Sequence, residues 1–247
     1  MYKEAIAHYL KQNGFSNMSL KATLFDMDGV LFNSMPYHAD AWHTVMKRHG
    51  LELSQEEAYL HEGRTGAATI NIVYQRTFGK DATPEMIESI YAEKSIEFNK
   101  HPKPERMPGA WEVLQKIKKD GLRPVLVTGS GQLSLLDRLS HHFPGIFDRN
   151  HMVTAFDVKY GKPNPEPYLM GLTKAGVQAN EAIVVENAPI GIQAGVAAGI
   201  FTIAVNTGPL DENVLWEAGA NLVFPSMQAF NEQWENVLQS LKTVQPV

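Results

Sequence analysis

Four short apolar runs constrain the fold of this chain more than any other feature. They are Thr23-Leu24-Phe25, Val125-Leu126-Val127, Ile183-Val184-Val185 and Thr202-Ile203-Ala204-Val205. Each is too short for a helix, rich in β-branched or aromatic residues, and free of polar alternation. Strands of that kind are buried on both faces, as in a parallel sheet. Helical patterns of about 10–15 residues lie between and after them, the βαβ grammar in which helices cover both faces. A chain of 247 residues suits one large domain or a core with a smaller insert, and it can bury well over half of its unfolded surface without cross-links.

The helix starts are marked in the sequence. Asn164-Pro165-Glu166 and Thr83-Pro84-Glu85 each place a capping side chain before a proline and an acid, and Ser54-Gln55-Glu56-Glu57 reads as a capping box. Near the C-terminus, Met227, Phe230, Trp234, Val237, Leu238 and Leu241 form one apolar stripe at helical spacing, expected to pack on the core. Residues 35–104 hold no comparable strand run. They look helical around Trp42, Val45 and Met46, then over 70–78 and 86–98, and Lys100-His101-Pro102-Lys103-Pro104 reads as a hinge. The expected architecture is a doubly wound parallel-sheet α/β core at 21–34 and 105–247, with an α-helical cap inserted at 35–104. Residues 1–20 form a helical extension with Tyr2, Ile6, Tyr9 and Leu10 on one face.

Composition narrows the function classes. There is no cysteine, which removes thiolate catalysis, thiolate metal sites and disulfides and fits a reducing compartment. Lys and Arg number 22 against 27 Asp and Glu, a net charge of −5 with no basic block, which argues against a general nucleic-acid surface. The opening Met1-Tyr2-Lys3-Glu4-Ala5 lacks the apolar core of a signal peptide. No apolar stretch approaches the ~18 residues of a membrane span. The expectation is a soluble, cytoplasmic monomer.

In open α/β sheets, ligands bind beyond the carboxyl ends of the strands, and here the apolar runs end in reactive or polar residues. The first ends in Asp26-Met27-Asp28-Gly29, the second in Thr128-Gly129-Ser130-Gly131, and the third in Glu186-Asn187; Lys162 lies in Tyr160-Gly161-Lys162-Pro163 before a capped helix. Two carboxylates two residues apart can divide labour between nucleophile or metal ligand and general acid/base. A Thr-Gly-Ser turn opening a helix offers a hydroxyl and N–H groups to a phosphate. A lysine can neutralise phosphate and nucleophile, and an acid–amide pair can complete a site for Mg²⁺. Each motif alone is an ordinary surface turn or loop. Their conjunction at strand ends is specific.

With these motifs the chain resembles the haloacid dehalogenase superfamily, in the subgroup similar to β-phosphoglucomutase with a helical cap, over about residues 21–225. The resemblance implies that Asp26 is the nucleophile forming an aspartyl-phosphate. Asp28 would protonate the leaving group and then activate water, its backbone carbonyl touching Mg²⁺. Thr128 and Lys162 would hold the transferring phosphoryl group, joined by N–H groups near Gly129 and Ser130. Glu186 and Asn187 would complete the magnesium site with Asp26 and Asp28. Dehalogenase members lack the second aspartate, so Asp28 argues for phosphoryl transfer.

The last motif of the family usually offers an aspartate where this chain has Asn187, which takes one negative charge from the metal site. The cap segment His61-Glu62-Gly63-Arg64-Thr65-Gly66 sits where the subgroup keeps its specificity loop, and Glu62 is expected to reach Mg²⁺ on cap closure. Some relatives with this Glu-Gly-Arg loop are described as inorganic pyrophosphatases, and the chain resembles them closely. Pyrophosphate is therefore the first expected substrate. A β-phosphoglucomutase would need an arginine at a position that aligns with Gly66, although Arg64 lies nearby. His38 matches a mutase histidine, which keeps isomerisation of β-glucose-1-phosphate as the alternative, with a small sugar-phosphate phosphatase between the two. Gln132 and Arg64 are further candidate substrate contacts. A binding module that has lost catalysis would show erosion of Asp26, Asp28, Thr128 or Lys162, and all four are present.

Overall fold

The computed structural model describes residues 2–130 and 133–244, with the side chains of 133–137 excepted. Its centre is a six-stranded, all-parallel sheet in the order β3-β2-β1-β4-β5-β6. The strands are β1 (Ala22–Phe25), β2 (Arg123–Val127), β3 (Met152–Val153), β4 (Ala182–Glu186), β5 (Phe201–Val205) and β6 (Leu222–Phe224). The four apolar runs lie within β1, β2, β4 and β5, and β1, β4 and β5 are buried along their whole length. The edge strands β3 and β6 have only two and three residues, too few for a periodic signal in the sequence.

Residues alternate between two helical layers. Phe25, Leu126, Ile183 and Val185 face one core with α1 (Tyr2–Asn13), α6 (Ala110–Lys119), α7 (Leu133–His142) and α11 (Met227–Thr243). Leu24, Val125, Val127 and Val184 face the other, with α8 (Glu166–Ala175) and α9 (Pro189–Ala197). A short α10 (Glu212–Glu217) covers β5 and α9 through Leu215. Every member of the C-terminal apolar stripe is buried on α11. The expected extension at the N-terminus is docked on the core: Ile6, Tyr9 and Leu10 are buried, and the Tyr9 hydroxyl donates to the Gly199 carbonyl at 2.8 Å.

Between β1 and α6 the chain forms a helical cap: α2 (Met35–Arg48), α3 (Gln55–Leu60), α4 (Gly66–Phe78) and α5 (Pro84–Phe98). These helices enclose a core of their own around Val45, Met46, Ile70, Val73 and Ile90. The two connections to the cap run side by side, since the Asn33 N–H donates to Glu105 and the Met107 N–H to Leu31, at 2.9 and 2.8 Å.

Two helix starts differ from expectation. Ser54 accepts from the Glu57 N–H, but the Glu57 carboxylate turns to Arg76 and His61 and leaves the box half made. Asn164 lies one residue ahead of the observed cap, Pro165, and its side chain accepts from the Glu166 N–H at 2.9 Å. Glu166 in turn accepts from the N–H groups of Lys159 and Tyr160, which ties the lysine loop to α8.

Candidate active site

Strand order reverses between β1 and β4: the chain runs outward through β2 and β3, then returns to place β4 beside β1. A crevice at that point is where such sheets bind ligands. Asp26 follows β1 and its N–H pairs with Val185; Glu186 closes β4; Thr128 follows β2. All three side chains are buried, as is Lys162.

Lys162 organises this edge. Its Nζ donates to Asp26 Oδ1 at 2.5 Å, Glu186 Oε1 at 2.6 Å and the Val127 carbonyl at 3.1 Å. Burial alone would lower its pKa, but Asp26 and Glu186 outweigh that and raise it, so the ammonium keeps its proton. Removing one partner of so buried a pair costs about 3–5 kcal/mol. Asp26 is raised above the ordinary carboxylate range, by burial first and by Glu186 and Asp28 as like charges, with Lys162 opposing.

Asp28 sits in a different setting. Its Oδ1 accepts from the Ser34 hydroxyl at 2.6 Å and from His38 Nε2 at 3.2 Å. Burial pushes its pKa up, yet His38, Ser34 and Lys94 together hold it below the ordinary value. Behind His38 stands Lys94 of α5, whose Nζ donates to His38 Nδ1 at 2.6 Å. That contact fixes the tautomer, with Nε2–H facing Asp28. Lys94 is buried against Trp42, Tyr91 and Phe98, and burial pushes its pKa down to about 7. It is among the residues of this site that the sequence did not mark, because its partner lies 56 positions away.

The turn after Asp28 needs a glycine twice over. Gly29 has φ +78°, and a Cβ there would lie 2.1 Å from Asn187 Nδ2 and 2.9 Å from Glu62 Oε1. Thr207, just beyond β5, clamps this turn by donating to the Gly29 carbonyl at 2.7 Å. Glu62 therefore reaches the core edge: it is buried and accepts from Asn187 Nδ2 at 2.9 Å. Nearby, the Gly63 carbonyl oxygen would lie 2.2 Å from a Cβ on Gly129, so the cap loop sits closely on the phosphate-loop candidate. The Ser130 N–H donates to Thr128 Oγ1 at 3.0 Å. Gln132 lies outside the described residues.

Glu186 accepts hydrogen bonds on both carboxylate oxygens. Oε1 accepts from Lys162 and Tyr168, at 2.6 and 2.8 Å, and Oε2 from the N–H groups of Asn187 and Ala188, at 2.9 and 3.2 Å. A carboxylate has about four lone-pair positions, and all are taken. The side chain anchors Lys162.

Other atoms here do suit a hard divalent cation. Glu62 Oε1 and Asn187 Oδ1 are buried with no hydrogen-bond partner. The Glu62 pKa is raised well above its ordinary value by burial, then by Asp26, with Glu186 and Asp28 adding to it. Unpartnered oxygens beside raised carboxylates are what an oxygen-preferring cation would satisfy. Among the described residues no three acidic or histidine side chains form a ready cage. An amide and a backbone carbonyl would have to complete the set.

Between this edge and the cap lies a partly open pocket lined by Asp26, Asp28, Glu62, Arg64, Tyr91 and Thr128 among others. Arg64 is half-buried, its Nε has no partner, and burial lowers its pKa. Its guanidinium group lines the same pocket as Asp26, Asp28 and Glu62.

A parallel α/β sheet with Asp26, Asp28, Thr128 and Lys162 at one edge, closed by a helical cap, defines a phosphoryl-transfer enzyme with an aspartate at its centre. The chain belongs to the haloacid dehalogenase-like hydrolase family, whose model matches residues 23–205. It is similar to hexitol phosphatase A of Escherichia coli (strain K12), 35% identical over 211 residues that span 85% of this chain and 93% of that protein. It is also similar to the phosphorylated carbohydrates phosphatase of Thermotoga maritima, at 31% identity over 81% of this chain and 92% of that one. A solved structure from Bacteroides vulgatus, provisionally named β-phosphoglucomutase, is 66% identical, with TM-score 0.96 and 98% of each chain covered. The chain is thus a phosphatase or phosphotransferase of this family, in the β-phosphoglucomutase-like subgroup. Among the described residues no helix is long and apolar enough to cross a membrane.

Proposed function

We propose that this protein is a Mg²⁺-dependent inorganic pyrophosphatase working through an aspartyl-phosphate on Asp26. The observation that supports the substrate is the buried Glu62–Asn187 contact at 2.9 Å, which sets the cap loop down on the phosphoryl edge. The ring of Tyr91 adds to this. A Cβ on Gly66, the position aligned with the mutase arginine, would lie 2.2 Å from that ring, so an arginine and Tyr91 cannot share the space.

In this reading, an Asp26 oxygen attacks one phosphorus, the bridging P–O bond breaks, and orthophosphate leaves with the bond's electron pair. Water activated by Asp28 then attacks the aspartyl-phosphate and releases the second orthophosphate. Asp28 is held ionised in this geometry, the state of a base. That state suits a leaving phosphate, which is a stable anion, better than a sugar alkoxide, which needs a proton as it departs. Lys162, Thr128 and the N–H groups at Gly129 and Ser130 would stabilise the transferring group, and Arg64 the departing one. Asp26, the Asp28 carbonyl, Asn187 and Glu62 would hold Mg²⁺, which supplies charge neutralisation for nucleophile and substrate.

The runner-up is a β-phosphoglucomutase, favoured by the His38–Asp28 contact and by the name of the relative from Bacteroides vulgatus. A small sugar-phosphate phosphatase lies between the two. Rapid quenching of a reaction with radiolabelled pyrophosphate tests the chemistry. The wild type should trap a hydroxylamine-labile phosphoryl group on the protein, and Asp26→Asn should trap none. Turnover with no such species would refute the aspartyl-phosphate.

A further inference from the structure

Tyr168 lies on α8, buried behind the reacting edge, and does not line the cavity. Its hydroxyl donates to Glu186 Oε1 at 2.8 Å, the same oxygen that accepts from Lys162 at 2.6 Å. Its ring lies under the ammonium, with Lys162 Nζ 5.0 Å from the centroid. The other Glu186 oxygen is pinned by two backbone N–H groups at the start of α9. A Cβ on Gly191 would lie 1.9 Å from Glu186 Oε1, so the carboxylate is held in a slot.

We infer that Tyr168 is a positioning residue for Lys162, acting through Glu186; this rests on Lys162 handling the transferred phosphoryl group as proposed above. The three N–H bonds of the ammonium are divided among Asp26, Glu186 and Val127. When a phosphoryl group is transferred, the bond to Asp26 must be redirected while the other two hold. Glu186 can serve as a fixed holder only if its fourth acceptor position is filled. Without the Tyr168 hydroxyl, Oε1 has a free lone pair toward the lysine and draws Nζ back from the reacting edge. The effect falls on the transition state, where Lys162 meets the phosphoryl oxygens, more than on substrate binding. The phenolic O–H is the right donor for this place. It reaches a fully buried carboxylate without adding a charge, and burial together with Glu186 and Asp26 raises its pKa far above its ordinary value, so it stays a donor.

Tyr168→Phe removes the hydroxyl and keeps the ring. The expected result with Mg²⁺ is a kcat lowered about tenfold, the scale of one hydrogen bond to a charged group, with KM changed less than about twofold. The loss should be equal on pyrophosphate and on p-nitrophenyl phosphate, because both pass through the same transferred group. The inhibition constant of orthovanadate, a transition-state mimic, should rise in step with the loss of kcat, while that of orthophosphate stays within about twofold. A variant that melts lower than wild type but keeps its kcat would assign Tyr168 to the fold alone and overturn the inference. A loss confined to pyrophosphate would also overturn it, since it would place Tyr168 on the leaving-group side. Should the wild type act on p-nitrophenyl phosphate and not on pyrophosphate, the substrate reading falls while the monoester data still decide on Tyr168. A wild type inert on both would end the role of Lys162 and this inference with it.

Discussion

Asn187 Nδ2 donates to Glu62 Oε2 at 2.9 Å, joining the end of β4 in the core to the 61–66 loop of the cap. An aspartate at 187 could not make this bond, and would set a second buried acid against Glu62, whose pKa is already raised by burial and by Asp26. The amide at this position thus has two parts, a donor toward Glu62 and an unpartnered oxygen toward the site. Asn187→Asp should open the cap of the metal-free protein, seen as a larger radius of gyration in small-angle scattering. Glu62→Gln combined with Asn187→Asp exchanges donor and acceptor and should close it again. Equal scattering from wild type and Asn187→Asp would contradict this pairing.

Glu62 alone is tested through magnesium. Glu62→Gln keeps the shape but removes the negative charge and should raise the half-saturating Mg²⁺ concentration by about tenfold or more, the scale of one charged contact. An unchanged magnesium dependence and turnover would remove Glu62 from the cation site.

Lys94 carries a pH signature. Its pKa in the folded protein is about 7 against an ordinary 10.5, so between those values the unfolded chain binds the extra proton. Stability must then rise with pH over that window. From pH ~7 to ~9 the wild type should gain in melting temperature relative to Lys94→Met, which keeps the packing against Trp42, Tyr91 and Phe98 and lacks the titrating group. Parallel melting curves for the two proteins across that range would show that Lys94 is not held near 7.

Much of this site is legible in the sequence because a parallel sheet gathers strand ends. Asp26, Thr128 and Glu186 each follow an apolar run, and no knowledge of distant contacts is needed to place them together. What the sequence hides is who pairs with whom. Lys94 and Tyr168 sit in helical patterns that read as packing, and their roles come from partners 56 and 18 residues away. Glu186 reads as a ligand because acids after strands often are, and the sequence does not reveal the four donors around it. Likewise β3 and β6 are too short to carry a period, and the burial of α1 depends on a surface formed by α11 and β5.

Tyr91 is expected to set the size limit. Tyr91→Ala should widen the cavity and raise kcat/KM for sugar phosphates relative to pyrophosphate by about tenfold, one to two kcal/mol of relieved overlap. An unchanged ratio would move the limit to another wall.

The most direct measurement is steady-state turnover with Mg²⁺ on pyrophosphate, on a panel of sugar monophosphates, and on β-glucose-1-phosphate with a bisphosphate primer, using Asp26→Asn as the blank. The expected result is the highest kcat/KM on pyrophosphate and no glucose-6-phosphate. Efficient formation of glucose-6-phosphate would contradict it, and would mean that the cap opens far enough for a hexose and that Arg64 grips its second phosphate.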